Sequence, residues 1–134
     1  MSIVIVCDEL KEKIVKRIIK ICREEVKEKS NKELIGLTVD YFYDGKAIDI
    51  GCTVHVFDNN KNIEEGYTKH ISFTINSDAS DSELLLLLRK YNKDKRFEAI
   101  EKVATEIKEY IESINWNCIV NTYEDMFIEI ELYD

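Results

Sequence analysis

The sequence predicts a two-layer α+β domain: three helices on one face of an antiparallel sheet of about five strands, in the order α-β-β-β-α-α-β-β. Three observations carry this expectation. Residues 8–29 and 84–114 repeat apolar side chains every three to four positions, the period of a helix lying on a core. Residues 35–75 and 127–133 instead alternate apolar with polar, as a sheet with one packed and one wet face requires. Asp44-Gly45 joins two such runs, and glycine accepts the positive φ of a tight hairpin, which implies antiparallel pairing.

The first helix is expected from about Asp8 to Lys29. Leu10, Ile14, Ile18, Cys22 and Val26 recur every fourth residue, and Val15 and Ile19 widen the stripe. Lys11, Lys13, Lys16, Arg17, Lys20 and Arg23 fill the other side. Asp8 is the expected N-cap, and residues 3–6 read equally well as a short strand or a helical turn. Ser30-Asn31-Lys32 breaks the helix. Ile35, Leu37, Val39 and Tyr41 then form the inward set of the first strand. The return strand places Ile48, Ile50, Cys52, Val54 and Val56 inward, with Asp49, Gly51, Thr53 and His55 outward. Asp58 to Asn62 is a polar turn. A third strand turns Ile71, Phe73 and Ile75 inward and His70, Ser72 and Thr74 outward.

Ser80 and Glu83 have the capping-box spacing, so a helix starts there and runs to about Tyr91. Asn92-Lys93-Asp94 interrupts it, and a longer helix follows from about Lys95 to Ile114. Trp116 to Val120 reads as a strand, because Trp116, Cys118 and Val120 alternate. Phe127 to Tyr133 is the last strand. Ile128, Ile130 and Leu132 face one way; Phe127, Glu129, Glu131 and Tyr133 face the other. Residues 1–134 read as a single domain without repeat or linker.

Charge is sorted along the chain. Segments 34–83 and 115–134 carry −6 and −5, whereas 1–33 and 84–114 carry +2 and +1, within a net −8. That balance disfavours nucleic acid and anionic membrane as partners, since both demand cationic surface. No apolar run approaches bilayer length, and the first residues lack the basic leader of a signal peptide. Four irregularly spaced cysteines suit a reducing cytoplasm better than a disulfide framework. Abundant Lys, Ile, Glu and Asn with no Pro fits an AT-rich bacterial genome.

No constellation for chemistry survives inspection. Cys22, Cys52 and Cys118 fall in apolar stripes, where a free thiol acts as a small hydrophobe. Cys52 and His55 point to opposite faces of their strand. His55 and His70 both point outward, and a third ligand for zinc is not evident. Asp58-x-Asn60-x-Asn62 resembles the start of a calcium loop, but Ile63 and Lys69 stand where that loop needs Gly and Glu. Asp78, Asp81 and Glu83 are explained by the dipole of the helix that they open. Four glycines make no phosphate cradle, and no G-x-S-x-G is present. No catalytic residue, metal or cofactor is therefore expected.

The outward sheet face remains. Acids interleaved with aromatics there suit a basic protein, carboxylates steering and rings anchoring. The residues expected to bind it are Asp40, Phe42, Asp49, His55, Phe127, Glu129, Glu131 and Tyr133.

In three features the chain resembles the bacterial immunity proteins of polymorphic toxin systems. These are the leading amphipathic helix, the segment Leu37-Thr38-Val39-Asp40-Tyr41-Phe42-Tyr43 before the hairpin, and the acidic alternating strands after it. The resemblance implies a small cytoplasmic α+β protein that binds and blocks a toxin domain, often a basic nuclease; no residue takes a role from it. The alternative is a self-associating protein, a homodimer joined through its C-terminal strand.

Overall fold

The computed structural model describes residues 2–26, 32–44, 47–58, 67–75, 79–92 and 98–133. It contains helix α1 (Ile3–Glu25), strands β1 (Lys32–Tyr43), β2 (Ile48–Asp58) and β3 (Tyr67–Thr74), helices α2 (Ala79–Tyr91) and α3 (Glu98–Ser113), and strand β4 (Thr122–Tyr133). The fold is α+β, and among the described residues the sheet has four strands in the order β3-β2-β1-β4.

α1 starts ahead of the expected Asp8. Val6 and Cys7 extend the buried stripe backwards from Leu10, and the Ser2 hydroxyl caps the helix by accepting from the Ile5 N–H at 3.4 Å. Residues 3–6 are therefore helical, and Asp8 instead pairs with Lys11 one turn on at 3.6 Å. The break at Ser30-Asn31, the turn residues Gly45 and Lys46, the polar turn Asn59–Asn62, the loop Asn76–Asp78 and the break at Lys93-Asp94 lie outside the described residues. The hairpin itself is present: β1 and β2 pair antiparallel down to Tyr43 opposite Ile48.

Two corrections concern the strands. Trp116–Val120 is not a fifth strand; Trp116–Cys118 is a turn of 3-10 helix. Trp116 and Val120 are buried while Cys118 between them is exposed. A spacing of four keeps phase in a helix as well as in a strand, so the alternation was ambiguous. The buried indole N–H donates to the Ile111 carbonyl at 3.0 Å, which ties this turn to the end of α3.

The sheet is also mixed rather than antiparallel. β4 lies beside β1 and runs parallel to it. β3 leads into α2 and α3, and two helices are a crossover long enough to return the chain to the same end of the sheet.

A third difference is local. A bulge between Leu34 and Gly36 shifts the register of β1, so Leu34, not Ile35, joins the fully buried set with Leu37, Val39 and Tyr41.

The described core residues form one cluster between the sheet and the helices. It holds Leu10, Ile14 and Ile18 of α1, Leu84 and Leu88 of α2, and Ile100 and Ile107 of α3. Two polar devices lock the helical layer. Asp81, fully buried on α2, takes Arg17 Nη2 at 2.8 Å and Lys13 Nζ at 3.0 Å from α1. Arg17 also donates to the Thr74 carbonyl at 3.0 Å, joining α1 to the end of β3. α2 begins at Ala79, ahead of the expected cap at Ser80, and Asp81 serves as an interhelical anchor. Buried Asn92 ends α2 and accepts the N–H groups of Ala99 and Ile100 at 3.0 and 3.4 Å, so it caps α3 across the intervening segment.

Candidate functional site

The helices pack on one side of the sheet, against the inward residues of β1 and β2 and the inward side chains of β4. Among the described residues no helix covers the other side, which is open. Strand register arranges it in rows: Tyr133–Phe42–Asp49, then Glu131–Asp40–Gly51–Thr74, then Glu129–Thr38–Thr53–Ser72, then Phe127–Gly36–His55–His70. All eight residues expected to bind a partner stand on this face. Two described cations belong to the strands, and both lie in rows with inward neighbours: Lys32 opposite Asp58, and Lys69 opposite Val56. Lys69 is paired with Glu25 of α1 at 3.0 Å. Among the described strand residues, no Lys or Arg therefore rises from the open face.

The carboxylates crowd at the β1–β4 side. Asp40 and Glu131 are direct neighbours across the parallel ladder. Partial burial, and after it the charge of Glu131, raises the Asp40 carboxyl above its ordinary 3.8. The Tyr133 hydroxyl donates to Glu131, and that bond is the main reason its own pKa is pushed up to about 12.

Two aromatic groupings flank these acids. Phe42 and Tyr133 stack with centroids 5.0 Å apart and planes 12° from parallel. They remain 44 % and 41 % exposed, and with Asp44 and Asp49 they line a shallow cleft of about 180 Å3. At the other end the tip of the Phe127 ring lies over Gly36, where an added Cβ would sit 2.3 Å from Cζ, so glycine is the residue that fits without moving the ring. The Phe127 ring reaches His55, 5.3 Å between centroids.

The two histidines meet. His55 Nδ1 and His70 Nδ1 are 2.6 Å apart, and His55 Nε2 is 2.8 Å from the Thr38 hydroxyl. Burial, and then the neighbouring His70, lowers the His55 pKa below its ordinary 6.5, with Glu129 opposing. One row away Thr53 and Ser72 share a hydrogen bond of 2.9 Å.

Elsewhere the three buried thiols are unsuited to attack. All four cysteines are free. Burial pushes Cys7, Cys22 and Cys52 up to about 12, and Cys7 donates to Glu106 at 3.0 Å. Cys118, expected in a buried stripe, is exposed on the 3-10 turn. Among the described residues no three His, Cys, Asp or Glu side chains converge to hold a metal, and no helix is long and apolar enough to cross a membrane.

Three features escaped the sequence: the Phe127–Gly36 contact, the Asp40–Glu131 adjacency and the Asp81 clamp. The first two depend on β4 lying parallel to β1. The last pairs residues of two helices more than sixty positions apart. No protein-family model, curated protein or solved structure matches the chain.

Proposed function

We propose that this chain is a non-enzymatic binding protein that neutralises a cationic protein, in the manner of a bacterial immunity protein or antitoxin against a toxin domain in the cytoplasm. The observation that carries the reading is the open face. It gathers Asp40, Asp49, Glu129 and Glu131 around the stacked Phe42–Tyr133 pair, with no described strand cation among them. Asp40 and Glu131 repel one another in the free protein. An incoming Lys or Arg relieves that repulsion, so part of the binding energy is stored in the free face. The cleft beside Phe42, Tyr133 and Asp49 offers such a side chain both a ring face and a carboxylate. Phosphate backbones and anionic bilayers are repelled by the same surface.

The test is to recover the partner from the source cell and measure its association rate against ionic strength. Electrostatic steering predicts a fall of at least about tenfold from low to physiological salt. The combined Asp40→Asn and Glu131→Gln variant should lose most of that dependence. A rate indifferent to salt would overturn the reading.

A second reading rests on β4 being an edge strand of twelve residues. An edge of that length invites pairing with a second copy, against the repulsion of Glu129 and Glu131. Light scattering at micromolar concentration separates the two: a stable dimer favours self-association, a monomer the acidic docking face.

A further inference from the structure

We propose that His55 and His70 form a two-imidazole chelate for a divalent transition ion of the Cu2+ or Ni2+ class on the open face of the sheet. The chain has two histidines in all, and the β2–β3 register sets them directly opposite each other. Their Nδ1 atoms are 2.6 Å apart. Two imidazole nitrogens bound to one ion at roughly 2.0–2.1 Å stand about 2.8–3.4 Å from each other at right or tetrahedral angles. Small side-chain rotations open the pair to that spacing, with no movement of the strands.

The surroundings favour coordination through Nδ1. The Thr38 hydroxyl, 2.8 Å from His55 Nε2, accepts the Nε2 proton in the tautomer that leaves Nδ1 with a free lone pair. A ligating imidazole ordinarily has its second nitrogen fixed by such a partner. In the free protein the His55 lone pair accepts the Nδ1 proton of His70. When the ion binds, His70 takes the tautomer with its proton on exposed Nε2, and its Nδ1 lone pair turns to the metal. Only the tautomer of His70 changes, and no proton leaves the pair. Glu129 lies near enough to act on His55 electrostatically and offsets the incoming positive charge. Phe127 covers one side of the His55 ring. Imidazole donors suit copper and nickel rather than calcium or magnesium. No third described side chain converges, so water completes the shell. The site stands apart from the proposed docking function, since it requires only the two strands and Thr38.

The experiment is a titration of Cu2+ into the full chain carrying Cys118→Ser, which removes the exposed thiol as a competing ligand. Calorimetry should give one ion per chain, and electron paramagnetic resonance should show two nitrogen donors. His55→Ala and His70→Ala should each abolish that signal, and Thr38→Val should weaken binding by about tenfold. The imidazole proton resonances of the unsubstituted histidines read the site even where a variant fails to fold: both should broaden together at substoichiometric Cu2+. Copper bound as tightly by either histidine variant, a spectrum without two nitrogens, or a ring resonance that stays sharp would overturn the proposal.

Discussion

The two faces of this sheet are one residue apart along every strand and follow opposite rules. Leu37, Val39 and Tyr41 of β1 are 0 % exposed beneath the helices. Thr38, Asp40 and Phe42, between and beyond them, line the open side. On the covered face even an isolated charge would be intolerable, and the one buried carboxylate of α2, Asp81, is held by both Arg17 and Lys13. On the open face Asp40 and Glu131 stand side by side without a described cation between them, because water lowers the cost of their repulsion. Stability is therefore concentrated on one face. Unfavourable charge is tolerated on the other.

Truncation should expose this difference most strongly. Leu10→Ala, in the centre of the core, is expected to destabilise by about 3 kcal/mol, whereas Phe42→Ala should cost less than about 1 kcal/mol. Denaturant unfolding of both variants checks this, and equal losses would break the contrast. Gly36→Ala should have an intermediate effect, about 1 kcal/mol, because the new methyl must push the Phe127 ring aside. Adding Phe127→Ala should recover most of the loss, which would locate the clash between the two strands.

Tyr41 lies on the covered side. Its hydroxyl is buried without a hydrogen-bond partner among the described residues. Tyr41→Phe is therefore expected to be neutral or slightly stabilising, by up to about 1 kcal/mol in thermal melts.

The smallest effects are pH-dependent and opposite in sign. Asp40 has a raised pKa, so the folded state holds its proton more tightly than the unfolded state does. Its contribution to stability declines as pH rises from the ordinary 3.8 through the raised folded value, and Asp40→Asn should remove that decline. His55 has a lowered pKa, so the folded state holds its proton less tightly than the unfolded state does. Its contribution is complete above the ordinary 6.5 and falls as the pH drops from there towards the lowered folded value. His55→Gln should flatten that limb of a melting-temperature profile and leave the Asp40 limb in place.

Much of the fold was legible because it is local. The stripes of α1 and α3 and the alternation of β1, β2 and β4 each lie within about twenty residues. They place all eight expected binding residues on the open face correctly by phase alone. Errors arose where the same pattern serves two structures. Trp116 and Val120 satisfy a strand and a helical turn equally. Leu34 and Ile35 are both apolar, so the bulge that selects Leu34 leaves no trace in composition. The helix start before Asp8 was open because Val4 and Ile5, both exposed, hide the stripe that Val6 continues.

The amino-acid sequence alone determined the α+β class, the extent of most elements and which side chains leave the core, because those follow from periodicity under the hydrophobic effect. Only the tertiary structure decided that β4 runs parallel beside β1, that Asp40 meets Glu131, that Phe127 covers Gly36 and that the two histidines touch. Strand order and register join residues far apart in the chain, and the energy that selects them is summed over the whole packed core rather than carried by any one segment.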